Sequence, residues 1–108
     1  MPTSEARLHR NTGLDLVRAT EAAAISAARW MGLGQRDDAD HVASAAMLRA
    51  LDSLEMDGRI VIGEESRVDS FPALHAGRPV GTGRGVAVDV VVDPIDGRRL
   101  LAQGRAGA

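Results

Sequence analysis

Apolar and polar residues recur along this chain with a helical period first and an extended period later. An alanine-rich segment from Leu14 to Met31 places Val17, Ala24, Ala28 and Met31 on one helical stripe, with Leu14 close by. Thr12 and Asp15 form a capping-box-like start, and Gly32 and Gly34 stop the helix. So many alanines imply close approach to a neighbouring element. A second helix is predicted from Asp37 or Asp38 to about Met56, with Ala43, Met47, Ala50, Leu51 and Leu54 as its apolar face. Asp57-Gly58 then signals a turn and Arg59–Ile62 a short strand. The stretch from Arg67 to Arg78, with Phe71-Pro72 inside it, has no period and is read as loop. Gly81–Gly85 is a flexible connector. Val86–Val92 is the strongest strand, with Val86, Val88, Val90 and Val92 on one face and Asp89, Val91 and Asp93 on the other. Residues 1–11 are polar and unpatterned, a disordered leader, and Leu100–Ala108 runs out in small residues. Helices followed by strands predict an α+β fold: two N-terminal helices packed on a mostly antiparallel sheet.

Composition narrows the chemistry. At 108 residues the chain is one small domain at most. Trp30 and Phe71 are its only aromatic residues, so the core must come from Ala, Val, Leu, Ile and Met. All 13 basic residues are Arg, which removes lysine chemistry, and the net charge of -2 argues against a basic nucleic-acid surface. With no Cys there is no disulfide, thiolate nucleophile or thiolate zinc site. No apolar run reaches the length of a membrane span or a signal sequence, so the expected location is cytoplasmic.

The chemistry-bearing segment is Asp93-Pro94-Ile95-Asp96-Gly97, directly after the best strand. Two carboxylates spaced D-x-x-D at a rigid bend can converge on one hard cation that prefers oxygen ligands. On spacing alone a solvated turn explains them as well. Glu64 follows the other strand, and Asp40 falls on the apolar stripe of the second helix. A buried acid there is costly unless something satisfies it, although a helix N-cap role is the simpler alternative. The glycines at 81–85 precede a strand, whereas a phosphate loop needs them to open a helix. His9, His41 and His75 lack metal-ligand spacing and are read as surface or structural. Glu21 is assigned to a solvated helix face, and Asp89 either supports Asp93 or sits on an exposed strand face.

Trp30-Met31-Gly32-Leu33-Gly34, Ala39-Asp40 and Met56 through Glu64 together resemble the N-terminal region of the class II fructose-1,6-bisphosphatases. Val80 through Gly85, Val88-Asp89, Asp93 through Gly97 and Gln103-Gly104-Arg105-Ala106 continue the resemblance in register. It implies that residues 12–108 form the N-terminal metal-binding part of a layered α/β sugar-phosphatase domain whose C-terminal part is absent. It further implies Asp40, Glu64, Asp93 and Asp96 as ligands of Mn²⁺ or Mg²⁺, and Asp96, Gly97 and Arg98 at substrate-contact positions. No residue is assigned as catalytic. The implied reaction is hydrolysis of the 1-phosphate of fructose 1,6-bisphosphate or of another sugar bisphosphate, such as the seven-carbon one. A metal-bound water would be the nucleophile, in keeping with a chain that lacks Cys and Lys.

Three departures stand out. Arg98 occupies a position where the family carries Thr, and a guanidinium cannot accept a hydrogen bond from an attacking water. Gly63-Glu64-Glu65-Ser66 replaces the family's G-E-G-E, and Gln35-Arg36 replaces an Asp-Lys pair. Family members are also much longer, so a sheet face is expected to lack cover. The rival expectation is an inactive remnant or an interaction module, forming a homo-oligomer or docking on a full-length relative.

Overall fold

The computed structural model describes residues 12–64 and 73–108. The leader at 1–11, His9, Glu65-Ser66 and Phe71-Pro72 lie outside the described residues. The chain forms helix α1 (Thr12–Ala28), helix α2 (Arg36–Asp52), strands β1 (Met56–Ile62), β2 (Pro79–Val80) and β3 (Val86–Val91), and a short helix α3 (Arg98–Ala102). The α+β layering expected from the pattern is present. The sheet is mixed, in the order β2-β1-β3. β1 pairs antiparallel with β2 at two positions only, whereas its longer pairing, with β3, is parallel. A parallel neighbour requires a long crossover, and the residues between Ile62 and Val86 supply it, contributing β2 on the way. No helix among the described residues is long and apolar enough to cross a membrane.

The two long helices pack through small residues. Ala19, Ala23 and Ala27 form the buried edge of α1, flanked by half-buried Leu16 and Trp30. This is the opposite side from the stripe expected on pattern. Leu14, at 67% exposure, Val17, Ile25 and Met31 face outward instead. The reason is steric: alanines four apart let the two helix backbones approach, and larger side chains on that edge would hold them apart. The inferred close approach is real, but it lies on the face that carries only Ala.

α2 begins earlier than predicted, at Arg36, and ends at Asp52, where the Ser53 N–H closes onto Ala50 O and Leu51 O. Met56, expected at the end of this helix, is instead the first buried residue of β1. The strand buries Met56, Gly58 and Ile60 alternately, as a half-covered strand should. Leu51, Leu54, Met56, Ile60, Leu74, Val80, Val90, Ile95 and Leu101 join the alanine edge in one core.

The short helix α3 was not anticipated from a sequence end of small residues. Its last turn is tied to the α1–α2 loop: Gly32 N–H donates to Leu101 O at 2.9 Å and Gly34 N–H to Ala102 O at 2.7 Å. Gly104 and Gly32 meet backbone to backbone at this seam. Just beyond the end of β1, a Cβ on Gly63 would collide with the Leu74 carbonyl. That close approach lets the Glu64 N–H donate to Leu74 O at 3.0 Å. Gly63→Ala is therefore expected to lower unfolding free energy by about 2 kcal/mol or more, read from urea denaturation.

Candidate functional site

Asp40 enters the site from the second turn of α2, because its i+3 and i+7 relation to Ala43 and Met47 turns it toward the core. It is 1% exposed, and the helix N-cap is Gln35, so the capping alternative for Asp40 does not hold. Ser44, one turn further along the same face, is also buried. Glu64, two residues beyond β1, turns inward and is 3% exposed. The Ser44 hydroxyl donates to Glu64 Oε1 at 2.7 Å, and the Leu74 N–H donates to Oε2 at 3.3 Å. Two acids distant in sequence thus share a dry corner between α2 and the carboxyl end of β1.

Burial pushes the Glu64 carboxyl above its ordinary value of 4.5. The Ser44 hydrogen bond opposes this, while the negative charge of Asp40 and a hydrogen bond with Asp40 push it further up. The N–H of Leu74 favours the ionised form, but more weakly.

Arg98 completes the corner. Gly97 adopts a left-handed conformation (φ 87°) that ends the Asp93–Asp96 bend and opens α3 with Arg98 as its first residue. Arg98 Nη1 lies 3.8 Å from Asp40 Oδ2, with the Asp40 side chain almost fully enclosed. The nitrogen is buried and makes no hydrogen bond among the described residues, so the interaction is an ion pair rather than a close hydrogen bond.

The remaining acids stand elsewhere. β1 and β3 run parallel, and Val92 N–H donates to Ile62 O at 3.1 Å, so Glu64 and Asp93 do leave the sheet at the same end. Ile95 is buried in the core and anchors the bend. Asp93 and Asp96 are exposed on either side of it, and Gly97 is half-buried. Among the described residues no group of three or more His, Asp or Glu is arranged to hold a metal ion. The described side chains therefore do not form a divalent-cation cage: two carboxylates converge, and the charge facing them is a guanidinium. His41 is exposed, and His75 Nδ1 lies 3.0 Å from the Ala76 carbonyl, so neither is part of the site. Glu21 and Asp89 are also exposed.

Ser44 and the Leu74 N–H were missing from the sequence reading. A signal existed for Ser44: it lies four residues after Asp40 and next to Ala43, on the same inward face. Nothing local marks Leu74, whose role depends on the Gly63 contact.

Comparison with known proteins gives a consistent family. Residues 10–108 match the family model described as bacterial fructose-1,6-bisphosphatase, glpX-encoded. Over 101 residues the chain is 45% identical to "Fructose-1,6-bisphosphatase 1 class 2" of Escherichia coli and to "Fructose-1,6-bisphosphatase class 2" of Shigella flexneri. It is 42% identical to "Fructose-1,6-bisphosphatase class 2" of Haemophilus influenzae. Each match takes in 94% of this chain and 30% of the relative.

The raised Glu64 carboxyl fixes the sign of a pH effect. The folded state holds this proton more tightly than the unfolded chain, so the contribution of Glu64 to stability is fully present below 4.5 and is lost as pH rises through the folded value. In urea denaturation, Glu64→Gln is expected to gain stability relative to the unaltered chain between about pH 4.5 and pH 7. A difference that stays flat with pH would mean that Glu64 titrates alike in both states.

Proposed function

Because the chain belongs to the family of bacterial, glpX-encoded fructose-1,6-bisphosphatases, we propose that it supplies the buried acid corner of a phosphoric monoester hydrolase. The substrate in this reading is fructose 1,6-bisphosphate, cleaved at the 1-phosphate to give fructose 6-phosphate in cytoplasmic carbohydrate metabolism. The observation that carries it is the convergence of Asp40 and Glu64, two positions the resemblance marks, in one desolvated pocket at the carboxyl end of β1. Parallel strands commonly present ligand-binding loops at that end.

The resemblance implies Mn²⁺ or Mg²⁺ at these acids. With Asp93 and Asp96 exposed and Arg98 facing Asp40, the described residues do not assemble a cation cage, and no hydrolytic step is assigned to them. Their own role is narrower. Ser44 and the Leu74 N–H fix the Glu64 carboxylate in one orientation, and the alanine-rich helix pair keeps water from the corner.

A transplant tests this reading. Residues 12–108 with Arg98→Thr would replace the matching segment of the Escherichia coli relative. The hybrid is expected to release phosphate from fructose 1,6-bisphosphate with Mn²⁺, and adding Asp40→Asn is expected to reduce release by about a hundredfold. A folded hybrid without phosphate release overturns the proposal. The 108-residue chain alone is expected to release no more phosphate than its Asp40→Asn variant.

A second reading, an interaction module, is favoured by the apolar side chains left outside. Leu14, Val17 and Ile25 line the outer side of α1, Met31 is exposed just beyond it, and Val61, Ile62, Val86 and Val91 are exposed on the sheet. Self-association or docking on a longer relative would cover them. Light scattering behind a sizing column is expected to give a mass above one chain, and Leu14→Glu with Ile25→Glu is expected to return it to one. A monomer at all concentrations counts against self-association.

A further inference from the structure

The corner between α2 and β1 contains more charge than the acid pair. Asp40 is almost wholly enclosed, and an isolated ionised carboxylate in such a place is strongly disfavoured. Glu64 has one oxygen engaged by the Ser44 hydroxyl and the other by the Leu74 N–H. Among the described residues, the Arg98 guanidinium brings a positive charge to 3.8 Å from Asp40, on a side chain that is itself 22% exposed. Arg98 does not reach this position by chance of rotamer alone. The left-handed Gly97 turns the chain back at the end of the bend, and α3 is held by Leu101 in the core and by the Gly32 and Gly34 hydrogen bonds.

We propose that Arg98 is the built-in cation of this site: its guanidinium takes the place beside Asp40 that a divalent, oxygen-preferring ion would otherwise take. The charge on Asp40 is thereby countered by the chain itself. Arginine suits the role because it stays protonated at any pH at which the chain folds, so the compensation is permanent. A divalent ion binding the same carboxylate would have to enter next to a fixed positive charge in a desolvated pocket, where repulsion is weakly screened. The corner accepts a divalent ion only once the guanidinium is gone. The inference rests on the ion pair and its enclosure, and it holds whichever phosphate ester the family reading assigns.

Thermal unfolding of the 108-residue chain, followed by circular dichroism in EDTA and then with about 5 mM Mn²⁺, provides the test. For the unaltered chain the melting temperature is expected to move by less than about 1 °C. Arg98→Thr is expected to melt lower in EDTA, since it removes the guanidinium that faces buried Asp40, and to recover by about 5 °C or more with Mn²⁺. Arg98→Lys, which keeps the charge, is expected to remain nearly indifferent to metal. Adding Asp40→Asn to Arg98→Thr is expected to abolish the Mn²⁺ response. If Arg98→Thr does not fold in EDTA, Mn²⁺ is expected to restore its helical signal. The proposal is overturned if the unaltered chain gains as much from Mn²⁺ as Arg98→Thr. It is equally overturned if Arg98→Thr gains nothing, whether it starts folded or unfolded. These outcomes do not depend on turnover, so they are separable from the result of the transplant.

Discussion

Two carboxylates buried side by side impose the strictest constraint on this small protein. Asp40 and Glu64 leave water together, and the charge of Asp40 raises the cost of ionising Glu64. The surrounding structure answers that cost with directed groups: a hydroxyl one helical turn from Asp40, a backbone N–H from a turn that only a glycine lets approach, and a guanidinium from the far end of the chain. A corner that lost any of these would keep its negative charge and lose its compensation, which is costlier than never having buried the charge.

The path of the chain explains how three distant segments supply these groups. A parallel β1–β3 pairing carries the D-P-I-D-G bend to the same end of the sheet as Glu64, and Ile95 pins the bend by entering the core. The left-handed glycine after the bend then reverses direction into α3. The carbonyls of Leu101 and Ala102 at the end of α3 accept the Gly32 and Gly34 N–H groups of the loop between the two long helices. Residues near 100 thus close back on residues near 33, and Arg98 arrives beside Asp40 as a consequence of that closure.

The family match and the acid corner lie in the same stretch of chain. The match to bacterial fructose-1,6-bisphosphatase covers residues 10–108, which include the strands and the bend that shape the corner. Arg98 brings a guanidinium to 3.8 Å from Asp40 in that corner. The chain spans 30% of the length of those relatives, and its exposed apolar side chains lie on the outer side of α1 and on the sheet.

Sequence by itself determined the local elements and the identities of the acids. Period located both long helices, most of the two main strands and the bend, because those depend on contacts within a few residues, whereas Asp57-Gly58, read as a turn, lies inside β1. The inward position of Asp40 was legible for the same reason: its spacing from Ala43 and Met47 belongs to one helix. Tertiary structure decided the rest. Both sides of α1 carry apolar residues at helical spacing, and only the steric demand of the facing helix selected Ala19, Ala23 and Ala27 over Val17 and Met31. α3 has too few residues to declare itself by pattern, and its last carbonyls are tied to the α1–α2 loop by contacts distant in sequence. The partners of Asp40 and Glu64 are set by long-range closure of the chain. Whether four acids gather or two acids meet an arginine depends on charge balance in three dimensions, which residue spacing along the chain does not encode.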